Sequence, residues 1–153
     1  MTSLTEAIPP ILALIGNTPL MSLHFREENI TLYAKAEFLN PSGSIKDRLA
    51  QCIVEDAERR GLLNRDSIIM EVTSGNTGIA FAMVGAAKGY RVRILMSDSA
   101  SIERRHLMKQ LGAELVLFKA TRGYLTGIEL AQEIAAKEPN CFLPRQFENP
   151  INA

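Results

Sequence analysis

From residue 68 to residue 143 the chain alternates short apolar runs with longer amphipathic ones, and this alternation constrains the fold more than any other feature. Apolar runs at 68–72, 92–96, 115–118 and 141–143 have the length of strands. Between them lie stretches of helical length, at about 77–88, 101–111 and 125–137. Gly89 and Gly112 stand where the first two of these must stop, and glycine closes a helix readily because it accepts a left-handed backbone. Strands separated by helices of this size are joined as crossover units. The expected fold is therefore α/β, a mainly parallel, doubly wound sheet with helices on both faces.

Upstream the pattern differs. Residues 1–15 read as a short helix or arm, and 20–25 as a short strand. Residues 30–39 then alternate with a period of two, placing Leu32, Ala34, Ala36 and Phe38 on one face and Tyr33, Lys35 and Glu37 on the other. That predicts a half-buried strand. From Ile45 the apolar period becomes four, through Leu49, Ile53 and Ala57, until Gly61 ends a helix. With 153 residues, 46% hydrophobic and 22% charged, the chain has the make-up of a soluble domain. Its formal net charge of zero suggests neither a nucleic-acid nor an anionic-membrane partner. The apolar N-terminal patch contains Glu6, Pro9 and Pro10 and has no basic run before it, so it reads as neither a signal peptide nor a membrane span. Cys52 and Cys141 are far apart and lack metal-ligand spacing, which fits a reducing, cytoplasmic setting with no metal site. His24 and His106 fall in different elements and read as structural or surface residues.

Two turns carry chemistry. Asn40-Pro41-Ser42-Gly43-Ser44-Ile45-Lys46-Asp47-Arg48 leads from strand to helix, with Ser44 as the candidate N-cap and Lys46 in the first helical turn. At the positive end of the helix dipole a lysine is easier to deprotonate, which is what Schiff-base chemistry needs. Glu71-Val72-Thr73-Ser74-Gly75-Asn76-Thr77-Gly78 also follows a strand and opens a helix. Backbone N–H groups there bind carboxylate or phosphate, Gly75 and Gly78 admit a ligand close to the backbone, and Thr73, Ser74, Asn76 and Thr77 add donors. It is neither GxGxxG nor a Walker A sequence, so a Rossmann-like nucleotide binder lacks its fingerprint. Taken singly, Lys46 reads first as a solvated surface lysine, and the second turn reads equally as an ordinary strand-to-helix connection.

Taken together, the two turns resemble the cysteine synthase branch of the fold-type II PLP enzymes, which includes O-acetylserine sulfhydrylase and cystathionine β-synthase. Ile15-Gly-Asn-Thr-Pro-Leu20, Ile102-Glu-Arg-Arg105 followed by Leu111-Gly-Ala-Glu-Leu115, and Gln146-Phe-Glu-Asn-Pro150 match further family segments in the right order. The resemblance implies that Lys46 carries pyridoxal 5′-phosphate as a Schiff base and moves protons at the substrate α-carbon and leaving group. It implies that Asn76 bonds the cofactor's 3′-oxygen, and that Thr73, Ser74, Gly75, Thr77 and Gln146 hold the substrate carboxylate. The implied reaction is β-replacement on an activated serine by a sulfur donor, in a homo-oligomer.

Ala100 and Tyr124 stand where the family commonly has Met, near the substrate pocket. No Gly-Thr-Gly-Gly-Thr run for the cofactor phosphate occurs in these residues. The expectation is a single α/β domain over 1–153 that forms the N-terminal half of such an enzyme. Residues 1–29 would be an arm and strand packing on a missing C-terminal domain, and about 30–145 the domain bearing the PLP lysine and substrate loop. Exposed strands would then favour self-association. The other readings are a catalytically inactive remnant that binds an amino acid or a partner protein, and a cystathionine β-synthase relative.

Overall fold

The computed structural model describes residues 9–152. Leu20–Phe25 (β1) and Ile30–Lys35 (β2) form an antiparallel hairpin in register from Leu20 opposite Lys35 to Phe25 opposite Ile30. Asn29 closes its turn in a left-handed conformation, φ 54°, which asparagine tolerates better than most residues. The hairpin pairs with no other strand, and the division expected at residue 30 runs between its two paired strands. The predicted half-buried strand at 30–39 is corrected in two ways. Pairing stops at Lys35, and Glu37–Leu39 wind into a single 3₁₀ turn. Leu32 and Phe38 are exposed, whereas Ala36 alone of the expected apolar face is fully buried.

The reason for the early stop is Glu37. Its carboxylate turns inward to a fork of the Arg48 guanidinium (2.8 and 3.0 Å), the Thr18 hydroxyl (2.7 Å) and the Asn40 amide (2.8 Å), with Lys35 Nζ at 3.4 Å. Gly16 N–H donates to Asn40 Oδ1 at 2.9 Å, so the 15–20 segment and the 40–48 turn are packed together. Arg48, and next the Thr18 hydroxyl, hold the Glu37 carboxyl far below the usual carboxylate range. A lowered folded-state pKa gives stability that is complete above the unfolded value near 4.5 and is lost as pH falls toward the folded value. Glu37→Gln should therefore lose stability at neutral pH and show a flatter decline than the parent between about pH 5 and about pH 3. Urea melts of both proteins across that range, which cancel the other carboxylates, would refute this by giving parallel curves.

Beyond the hairpin the sequence pattern is realised closely. Lys46–Arg59 (α1) buries Leu49, Ala50, Ile53, Val54 and Ala57 along one stripe. Gly61 ends it with φ +68°, Leu62 N–H reaching Ala57 O and Gly61 N–H reaching Glu58 O, the paired closure of a Schellman motif. Then come Ile68–Val72 (β3), Asn76–Lys88 (α2), Arg91–Ser97 (β4), Ile102–Gln110 (α3), Glu114–Phe118 (β5), Tyr124–Lys137 (α4) and Cys141–Phe142 (β6). The four strands pair in parallel in the order β5-β4-β3-β6. Alternate residues of β4 serve two cores. Val92, Ile94 and Met96 join Ile53, Phe81 and Met108 in the core built with α1, α2 and α3, and Leu95 joins Met70, Val72, Phe118 and Ala131 beneath α4. Helices thus cover both faces. No helix among the described residues is long and apolar enough to cross a membrane.

Candidate active site

Asp47 sets the position of Lys46. Fully buried at the start of α1, it accepts the Ser42 N–H at 2.7 Å and the Ser42 hydroxyl, which folds the Pro41–Ser44 turn back onto the helix. Ser44 lies one residue ahead of the assigned N-cap, Ile45, whose side chain makes no cap bond. Its hydroxyl nevertheless accepts the Lys46 N–H at 3.2 Å. Lys46 becomes the first residue of α1 and leads its side chain into an open cleft, where its amine has no hydrogen-bond or ion-pair partner among the described residues.

The far wall of that cleft is the β3–α2 turn. Lys46, Thr73, Ser74, Gly75, Asn76, Thr77 and Gln146 all line one concavity of about 340 Å³, so every residue expected at the site is brought to it. The two threonines are nonetheless buried and engaged. Thr73 Oγ1 accepts the Gly75 N–H at 3.2 Å, and the Thr77 hydroxyl donates to Gln146 Oε1 at 2.8 Å. Ser74 and Asn76 are exposed, and the N–H groups of Asn76 and Thr77 face outward from the start of α2, as the first N–H groups of any helix do.

Three further residues shape the cleft. Arg104, in the first turn of α3, donates to Ser74 O at 3.2 Å, and its guanidinium lies over Gly75 so closely that a Cβ there would meet it at 3.1 Å. Tyr124 stacks edge-on against Phe147, ring centroids 5.5 Å apart, and its hydroxyl accepts from Gln146 Nε2 at 3.5 Å. Burial, and then the nearby Glu71, push the Tyr124 phenol up to about 12. Behind the cleft, the 5%-exposed Glu71 accepts from Val72 N–H at 2.9 Å and from Gln146 N–H at 3.3 Å, and burial pushes its carboxyl up to about 7. In the sequence Glu71 stood only as the first residue of the anion-binding turn, and Arg104 only as a member of a matching segment. Their signal was positional, since each sits at the carboxyl end of a parallel strand or opens the helix that follows one, where such sheets place ligands. Ala100 packs against the larger core.

A model of the pyridoxal-phosphate dependent enzymes matches residues 11–153. The chain belongs to this family. A cysteine synthase from Flavobacterium sp. is 50% identical over 140 residues, covering 90% of this chain and 45% of that protein. The crystal structure of O-ureido-L-serine synthase superposes with a TM-score of 0.88 at 48% identity, over 93% of this chain and 45% of that one. An O-acetylserine dependent cystathionine beta-synthase from Helicobacter pylori gives 0.87 at 34% identity, over 93% of this chain and 48% of that one. The chain spans about half the length of the relatives it matches.

The donor set suits one side of the cofactor. An unpaired amine and an exposed amide share a cleft with a helix start, which suits an aldehyde, a phenolic oxygen and a substrate carboxylate. A cradle for the cofactor's phosphate has no counterpart among the described residues, none of which form the Gly/Thr loop.

Proposed function

We propose that the chain is the lysine-bearing and carboxylate-binding part of an enzyme that performs β-replacement on an activated serine, with a sulfur nucleophile, to make cysteine. One observation carries this: Lys46 shares its cleft with the 73–77 turn and with Gln146, three segments far apart in sequence. The relatives' names point the same way. Cysteine, O-ureido-L-serine and cystathionine are all alanine skeletons bearing a heteroatom on the β-carbon. What they share is departure of a β-substituent and entry of a nucleophile; sulfide-level sulfur is the nucleophile we assign.

Bound pyridoxal phosphate would supply an electron sink for charge developing at the substrate α-carbon. Lys46 anchors the cofactor, takes the α-proton and returns a proton to the leaving group. The Asn76 amide donates toward the cofactor's 3′-oxygen. Ser74, Gly75 and the N–H groups that open α2 hold the substrate carboxylate, with Gln146 completing the grip and Thr73 and Thr77 holding the turn and the Gln146 amide in shape. We assign about 30–145 as the domain that carries this site, working as a homo-oligomer in a reducing cytoplasm, where Cys52 and Cys141 stay unpaired.

Incubating the purified chain with pyridoxal phosphate, beside Lys46→Ala, is the direct test. A visible absorption band of the lysine-linked cofactor is expected in the parent and should vanish completely in the variant. Identical spectra would reject Lys46 as the anchor and leave a binding module for an amino acid.

A further inference from the structure

Gln146 is held at every polar atom it has. Its N–H donates to Glu71 Oε2 (3.3 Å), its carbonyl accepts from Asn152 Nδ2 (2.7 Å), its Oε1 accepts from Thr77 (2.8 Å), and one Nε2 hydrogen reaches the Tyr124 hydroxyl at 3.5 Å. The second Nε2 hydrogen is left for the cleft. The backbone is bent to allow this. Arg145, just before, takes a left-handed φ of 50°, and its carbonyl closes the turn by accepting from Glu148 and Asn149 N–H. A non-glycine residue held there usually marks a constraint imposed by its surroundings. Glu71 is the support beneath. It is the charged side chain that contacts Gln146, and it also borders a cavity of about 60 Å³ shared with Tyr124, Ile128, Ala131 and Leu143, large enough for a water molecule.

We propose that Glu71 is a positioning residue, holding Gln146 in place for an anionic ligand and taking up a proton from solvent when that ligand binds. This rests on, and deepens, the carboxylate-binding reading of the cleft. The groups facing Glu71 explain the direction. On α4 it meets Tyr124, a phenol that stays neutral. On the 143–148 segment are Arg145 and Glu148, exposed and ion-paired to each other at 3.4 Å. Its partner on β4, Ile94, is apolar. Lys46 and Arg104 line the cleft and not this cavity. Among the described residues no cation therefore pairs with Glu71, and burial already keeps it titrating near neutrality. A carboxylate placed one residue away, against Gln146, favours the neutral form further, so ligand affinity and Glu71 protonation reinforce each other.

The test uses L-serine, whose carboxylate stays ionised from pH 6 to pH 8, titrated into the purified chain and followed by ¹⁵N amide shifts. In the parent, affinity is expected to fall by up to about tenfold between pH 6 and pH 8, the most that one proton can give when the ligand-free group titrates near 7. Glu71→Gln, an isostere of the neutral acid, should bind at pH 8 as tightly as the parent does at pH 6, with a flat profile. Parallel profiles for the two proteins would overturn the role of Glu71 while leaving the carboxylate site standing. Absence of serine binding at any pH would overturn both. A direct ¹³C titration of the parent needs no variant to fold: the Glu71 carboxyl should titrate near neutrality and move the Gln146 side-chain amide with it. A midpoint in the ordinary glutamate range, or an unmoved amide, would overturn the inference.

Discussion

Truncating Phe81 to alanine is expected to cost about 3–5 kcal/mol of folding free energy, the largest loss any single substitution discussed here should produce. Phe81 is fully buried in α2, a helix whose residues from Thr77 to Gly85 are all buried. Such a helix has no wet face toward which its neighbours can relax. It is pressed between α1, α3 and the sheet, so the space left by the ring is walled by Ile53, Ile94, Met96, Met108 and their neighbours in one core. Against a typical domain stability of about 5–15 kcal/mol, this brings the chain close to unfolding. The midpoint of thermal unfolding should fall by roughly 6–20 °C. A loss under about 1 kcal/mol in urea would mean that α2 is not the packing centre that its burial indicates.

A single added methyl group should have the second-largest effect. Gly78 stands in the first turn of α2, where a Cβ would lie 2.7 Å from Thr73 Cγ2, 2.9 Å from Met108 Cε and 3.2 Å from Ile94 Cγ2. The methionine tip can swing aside; the short branched threonine and the core isoleucine cannot. Gly78→Ala gains about 1 kcal/mol of helix propensity but incurs an overpacking cost of about 1–3 kcal/mol or more, so the net change should be destabilising. The strain falls on Thr73, whose hydroxyl holds the Gly75 N–H, and the β3–α2 turn should lose ligand affinity together with stability. A second substitution separates the causes. Thr73→Ser keeps the hydroxyl, removes Cγ2, and should recover much of the loss when combined with Gly78→Ala. Strict additivity of the two changes would show that the clash is not where the geometry puts it.

Much of this was legible in the sequence because it rests on local signals. The apolar runs at 68–72 and 92–96 and the glycines at 61, 89 and 112 locate strands and helix ends through periodicity and backbone freedom, which act over a few residues. All three glycines take the left-handed backbone expected of a helix stop. The meeting of Lys46 with 73–77 and Gln146 came from a resemblance, and no spacing rule would have produced it. The strand at 30–39 failed for an instructive reason. Its alternation is real, but Glu37 is drawn off the pleat by Arg48 and Thr18, partners 11 and 19 residues away, and Leu32 stays exposed on a hairpin that no other strand covers. Glu71 went unread for a similar cause. Within an apolar strand it looks like one charged interruption, and its meaning appears only when a residue 75 positions later lies against it.

The strand order β5-β4-β3-β6 has a consequence of its own. From β3 the chain steps outward to β4 and β5, then α4 carries it back across the sheet to the opposite flank of β3. The connections on either side of β3 therefore run in opposite senses and part company just beyond its last residue. The gap between them is a product of topology, a switch point that would exist whatever side chains lined it. Connectivity fixes the location of the crevice, and on the function proposed above the residues at 73–77, 104 and 146 decide what fills it. Substitutions at those positions should alter the ligand while leaving the crevice where it is.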